Sequence, residues 1–447
     1  MDFEKIKDIL IDEARSAGLE EYEIFFSEDS GRNCETLRDE ISSFSNSVNG
    51  GVSFRCIKNG RMGAASSELL EPSEMKNLVA RAVSNALSIE SDDKAIIYAG
   101  GGDYLPLEKI TRELPEAAKM KETALALQKE LYRQSEYITE GTQVYLFGSR
   151  LSMRLINSHG LDLKNDVSVT GSYLSAVVNR DGESAEGYDY SESVDFDNVS
   201  PLAAKTVTEA TAKLGAGEVD SGKYNIVLSP RQARQFLSAF TSVFSAKNAQ
   251  HGLSLLRGKE GEKIAADCVT IVDDHMREGC PMRTNFDGEG VATYRKNVVE
   301  NGVLKTLLYD LSTADKAGKQ STGNGLRQSY SDPVAIRPYS FYFAPGGFTL
   351  EELIAKAGNG IYVTELKGLH AGADAVGGDF SIESAGFIIE NGKITKPVKS
   401  FTIAGNFFDI LKNIAALSDT VEFGIPSGFT MIGSPALLLP EVSVAGK

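Results

Sequence analysis

The sequence predicts an α+β protein in two parts: an N-terminal α/β domain with a mixed sheet and helices over residues 1–218, and a C-terminal β-rich domain over residues 219–447, built from hairpins with a few helices. Three observations predict it. In the first half, segments with apolar residues at helical spacing alternate with segments of period two. Asn-Gly pairs at 59–60, 301–302 and 391–392 stand between alternating apolar runs, and both residues of such a pair tolerate the positive φ of a tight hairpin turn. Gly215, Gly217 and Gly222 cluster between the halves and place the boundary near 215–222. At 447 residues and 42% hydrophobic content the chain is long enough to bury more than one core.

Residues 3–17 carry charges and apolar residues at the spacing of an amphipathic helix. Strands are expected at 21–27, 33–45 and 52–57, the last running into the Asn59-Gly60 turn. Pro72 suits the first turn of a helix whose Met75, Leu78, Val79, Ala82, Val83 and Ala86 share one face. A further helix over 115–134 precedes strands at 143–147, 152–157 and 166–178, with a turn at 158–160. Residues 181–200 are acidic and polar, and a helix over 201–214 ends at Gly215. In the second half two helices interrupt the hairpins. One spans 229–252, with Ser229 as N-cap, Pro230 in the first turn, and Phe236, Leu237, Phe240, Val243 and Phe244 on one face; the other spans 405–417.

The net charge of −16 repels a phosphate backbone, and the densest basic stretch, Arg257–Lys263, also contains Glu260 and Glu262. Nucleic-acid binding is therefore not expected. The N-terminal stretch lacks an apolar run, and no segment approaches the roughly 20 apolar residues that span a bilayer, so the chain reads as cytoplasmic and free of the membrane. Cys34, Cys56, Cys268 and Cys280 show no C-x-x-C spacing and read as reduced and structural.

A zinc hydrolase needs about three converging N, S or O ligands and an open position for water. The four histidines, His159, His251, His275 and His370, include no helical ligand pair. Asp273-Asp274-His275 reads as a polar loop, and Asp287 and Glu289 in NFDGEG as exposed acids on a tight turn that lacks the other alternating ligands of a calcium loop. G-x-S-x-G, G-x-x-x-x-G-K-[ST] and G-x-G-x-x-G are all absent, Ser427 in GIPSGF having the wrong spacing for the first.

The runs SLLRGKEGEKIAADCVTIVDD (254–274), FDGEGVATYRKNVVENGVLKTLLYD (286–310), STGNGLR (321–327), GDFSIESAGFIIENGKITKPV (378–398) and FTIAGNFFDIL (401–411) resemble, in order, the TldD/PmbA family, whose PmbA members are also called TldE and which older descriptions call "modulator of DNA gyrase". The resemblance implies a heteromeric metalloprotease acting on unfolded or extended peptides. In TldD-like members an H-E-x-x-x-H helix and a Cys near the C-terminus bind zinc. Laid on this chain, the two His positions fall on Ser238 and Val243 and the Glu position on Ala239, and no cysteine follows Cys280. The resemblance thus implies a TldE/PmbA-like chain with no catalytic residue and no metal of its own, scaffolding a zinc-bearing TldD-like subunit and shaping the peptide channel.

For such a subunit the hairpins suggest strand-edge capture of peptide. His370, Gly377, Gly378, Asp379, Phe380 and Thr402 are the expected border of the cleft, since glycine lets a backbone approach closely. A homodimer of the lone chain is compatible with a partner of similar fold. Two other readings stay open: a hydrolase active by itself through His251, His275, His370 or Asp residues across the cleft, and a binding protein that modulates gyrase.

Overall fold

The computed structural model describes residues 3–90, 93–107, 113–191 and 200–447, and its architecture is α+β with a strand-rich second half. The first sheet takes all its strands from the first half: β1 (Tyr22–Leu37), β2 (Glu40–Lys58), β3 (Arg61–Ser67), β4 (Gln143–Asn157), β5 (Asp162–Arg180) and β6 (Glu183–Ser191), in the order β3-β2-β1-β4-β5-β6, antiparallel throughout. Helices α1 (Phe3–Ser16) and α2 (Pro72–Ser88) bury Ile6, Leu10, Leu78 and Ala82 against Ile24, Val52 and Phe54. Helices α3 (Ala117–Gln134) and α4 (Ser200–Ala212) cover the far end of the same face through Leu127, Leu131, Val207 and Ala210. The opposite face meets the second half through Phe25, Met153, Leu155, Phe286, Tyr339 and Met431.

The expected strands are longer and differently divided. Residues 33–45 are not one strand, because the chain reverses at Arg38-Asp39, with Arg38 at φ 58°, so that β1 and β2 form a long hairpin. Arg-Asp lacks the glycine that marks such a turn in sequence, and the reversal passed unread. Likewise Asp181-Gly182 turns β5 into β6, where only a polar stretch was expected; the remainder of that stretch, 192–199, lies outside the described residues. The three Asn-Gly pairs read as hairpin turns, at 59–60, 301–302 and 391–392, do adopt positive φ at both residues.

In the second half, Gly222–Leu228 pairs in parallel with Gly360–Lys367, which is followed by Asp379–Glu390, Lys393–Asn406 and Leu437–Ala445, the last returning to Gly222–Leu228. The ring closes where Thr402 pairs with Glu383 on one side and Ala445 on the other. Closure removes sheet edges along these stretches. A second six-stranded sheet includes Ile271–Asp273, Lys296–Glu300, Ser340–Phe343 and Met431–Ser434. Helices at Leu311–Ala317 and Leu350–Ala357, each with a capping box, add to the two that the sequence suggested, and the C-terminal one is shorter, Phe407–Asn413. Among the described residues no helix is long and apolar enough to cross a membrane.

Candidate functional site

The stretch read as one helix over 229–252 is three pieces. Ser229 caps α5 (Pro230–Ala239) by accepting from Gln232 N, a 3₁₀ turn follows at Thr241–Phe244, and Ser245 caps Ala246–Gln250. The break falls at Phe240, where the Thr241 hydroxyl donates to Ser238 O at 3.0 Å. Hydroxyl side chains that bond nearby carbonyls compete with the helix ladder. An apolar spacing of three and four residues does not reveal this break, because Phe240 and Phe244 are both buried: Phe240 stacks on Phe407 at 4.3 Å, and Phe244 lies against Phe341 at 5.3 Å.

The break separates the positions that bear on metal binding. Ser238 is exposed on the last turn of α5, whereas Val243 is fully buried beyond it. A hydroxyl, a methyl group at Ala239 and an isopropyl group do not fit zinc, which takes thiolate, imidazole or carboxylate. Among the described residues no three His, Cys, Asp or Glu side chains converge as a ligand set. The three histidines of the independent-hydrolase reading are thus not brought together: His251 and His370 are exposed, and His275 is buried.

The outer side of α5 lies against β6. Arg231 sits over the Tyr188 ring at 4.4 Å, pairs with Asp189 and Glu209 at 3.0 Å each, and Arg234 sits over Tyr190 at 5.1 Å. Gln235 Nε2 donates to the Tyr188 hydroxyl at 3.2 Å. Because side chains alternate along a strand, register fixes what shares this face. Tyr190 is opposite Tyr173, and Tyr173 is opposite Tyr145. A row of rings therefore runs from α5 across β6, β5 and β4, with Tyr173 against Tyr188 at 5.8 Å and Tyr145 against Phe147 at 6.0 Å. Gly171 is required beneath it, since a Cβ there would meet the Phe147 ring at 2.3 Å. The rings are partly exposed, Tyr145 by 36%.

The acids read as exposed are buried, which corrects that expectation. Asp287 is 1% and Glu289 5% exposed. Asp287 folds its own loop: Oδ1 accepts from Glu289 N and Val291 N, and Oδ2 from Gly325 N at 2.9 Å. Gly288 allows the two loops to touch, because a Cβ there would lie 2.8 Å from Arg327 N. Arg327 reaches across to Glu23 on β1, and Arg55 on β2 holds the same carboxylate through Nε at 3.0 Å and Nη2 at 2.9 Å. Burial raises the Asp287 and Glu289 carboxyls, the latter helped by Asp287 itself. Glu23, equally buried, is lowered overall because Arg327 and Arg55 outweigh its desolvation.

Nor is Asp273–His275 a solvated loop. Asp273 is fully buried, with Oδ2 accepting from Asn324 Nδ2 at 2.7 Å and Lys296 Nζ at 3.3 Å, and Oδ1 from Tyr339 N at 2.8 Å. His275 donates from Nε2 to Gly323 O at 3.2 Å and packs on Tyr339; burial, then Lys296, hold it neutral. The runs 254–274, 286–310 and 321–327 thus meet in one polar junction that locks the second half onto β1 and β2. Sequence reading missed this because, apart from the bonds Asp287 makes within its own loop, these acids' partners lie tens to hundreds of positions away.

The residues expected to border the cleft differ in exposure and in what they touch. His370 is exposed on the short turn Leu369–Gly372. Gly377 O and Asp379 Oδ1 both accept from Asn406 Nδ2, at 2.8 and 2.9 Å. Gly378, at φ +86°, is buried under Phe408, and Phe380 is core, with its ring 5.1 Å from Phe236. Thr402 is paired on both sides, with Glu383 and Ala445, and so presents no free strand edge.

Family models for the PmbA/TldA metallopeptidases match consecutive stretches: domain 1 over 22–86, the central domain over 105–214 and the C-terminal domain over 221–446. The chain belongs to the TldD/PmbA family. An uncharacterized protein of Methanocaldococcus jannaschii is 30% identical, the match covering 86% of this chain and 88% of that one. Metalloprotease PmbA of Escherichia coli O157:H7 is 26% identical over 95% and 92%. Among solved structures, a Thermotoga maritima protein named for modulation of a DNA gyrase superposes with TM-score 0.89 at 29% identity, over 99% of this chain and all of that one. TldE of Thermococcus kodakarensis shares the fold, with TM-score 0.84 at 23% identity, over 99% and 100%.

Proposed function

We propose that this chain is the TldE/PmbA-like, non-metal subunit of a two-subunit metallopeptidase, and that it shapes the path of an unfolded or extended peptide toward zinc held by a TldD-like partner. The observation that carries this reading is α5: the family's metal helix is kept as a packed element, while Ser238, Ala239 and Val243 offer no zinc donor set. The row from Tyr190 to Tyr145 supplies what such a subunit contributes, a partly exposed aromatic floor next to that helix. Aromatic rings add contact area without demanding one side-chain type, which suits a peptide of varied sequence. The net charge of −16 favours this reading over a DNA-directed one.

Steady-state cleavage of an unstructured peptide by the co-purified pair tests it. With Tyr145→Ala and Tyr173→Ala in this chain, KM is expected to rise several-fold with kcat little changed, as when binding shared by ground and transition states is lost. Unchanged KM in the double variant, or peptide cleavage by this chain alone, would contradict the reading.

A further inference from the structure

At the junction of the two halves a cavity of about 200 Å³ opens beside β2. Its charged lining comes from both sides. Glu289 Oε2 accepts from Leu311 N at 2.9 Å, whereas Oε1 has no hydrogen-bond partner among the described residues and its nearest cation is Arg55 Nη1 at 3.9 Å. Asp310 uses Oδ1 for Thr313 and leaves Oδ2 without a hydrogen bond among the described residues. The two carboxylates are 5% and 8% exposed as residues, and neither unbonded oxygen is sealed from solvent, so both face the cavity. Arg55 spends Nε and Nη2 on Glu23, which leaves Nη1 toward the cavity, and exposed Arg61 at its edge forms no ion pair among the described residues. Met62, Ile89, Ile96, Leu311 and Val334 make part of the wall apolar, and the remainder includes Ser312 and the ion-paired Asp93 and Lys94, whose partners are Lys316 and Asp315.

We propose that this cavity binds a free α-amino acid with an apolar side chain. Its ammonium group lies on the Asp310 carboxylate and on Glu289, whose carboxyl, held protonated by burial in the free chain, gives its proton to solvent as the cation arrives; its carboxylate lies on Arg61 and the open edge of Arg55, and its side chain against the apolar part of the wall. The arrangement of charge selects a zwitterion: carboxylates alone suit an amine and arginines alone an anion, whereas here both stand in one small space. The volume suits a small ligand. At about 30 Å³ for each water's share of liquid, the cavity holds the equivalent of roughly seven waters, below the range of roughly 300 Å³ upward for drug-sized ligands. A bound amino acid joins Arg55 and Arg61 of the first half to Glu289 and Asp310 of the second, so it stabilises the junction by mass action. The inference does not depend on the peptidase reading, and its failure leaves that reading standing.

Thermal unfolding and calorimetric titration of the full chain test it, using L-leucine, L-methionine and the other apolar L-amino acids, with isopentylamine and isovalerate as single-charge analogues. At least one apolar amino acid is expected to bind and raise the unfolding midpoint, with both analogues at least tenfold weaker. Arg61→Ala, at an exposed position, should weaken binding at least tenfold and leave the ligand-free midpoint in place. Glu289→Gln should weaken it comparably, and where that variant does not fold Arg61→Ala carries the test. The proposal is overturned if no amino acid binds, if the amine alone binds as tightly, or if Arg61→Ala leaves the affinity unchanged.

Discussion

Glu23 shows how much of this molecule rests on single buried charges. Its carboxylate takes both Arg55 and Arg327 in a place without solvent, so Glu23→Ala strands two guanidinium groups. Breaking such a group is expected to cost about 3–5 kcal/mol, read as a lower urea midpoint. Asp287 and Glu289 act in the opposite sense. Their folded-state carboxyls are raised by burial, so the folded protein holds protons that the unfolded chain releases. Stability from these groups is present at pH below the ordinary carboxylate range and is lost as pH rises through the interval up to about 8. Unfolding measured between pH 5 and pH 8 should show this decline, and Glu289→Gln should flatten it by the order of 2 kcal/mol. A decline of equal slope in the variant would assign it to other groups. None of this was legible in NFDGEG, where two acids among glycines read as an exposed turn; only the fold brings Gly325, Arg327 and Arg55 to them.

At the scale of elements, local signals read well and their interruptions did not. Ser229 and Pro230 mark the start of α5, and the Asn-Gly pairs mark three hairpins, because caps and tight turns depend on residues adjacent in sequence. The Arg38-Asp39 turn and the break at Phe240 depend on what the flanking segments pack against. The core of α5 can be tested directly: Phe236 meets Phe240, Phe380 and Phe407, so Phe236→Ala should cost about 3–5 kcal/mol by chemical denaturation. The broken helix makes a second prediction. Placing the family's metal residues back, as Ser238→His, Ala239→Glu and Val243→His together, should not create a stoichiometric zinc site, since residue 243 is sealed in the core and the third ligand is missing. Tight zinc binding measured by metal analysis of the folded variant would show that the two positions can face one ion.

Across the whole molecule, three of the motifs that carry the family resemblance build the junction between halves, whereas the positions at which that resemblance implies metal chemistry hold Ser238, Ala239 and Val243. On the proposed reading, the fold is retained around α5 while the chain positions substrate for another subunit. The most direct measurement is zinc content and cleavage of an unstructured peptide, made on this chain alone and on the chain co-purified with a TldD-like partner. The account predicts stoichiometric zinc and cleavage only in the pair. Stoichiometric metal and cleavage by the lone chain would contradict it.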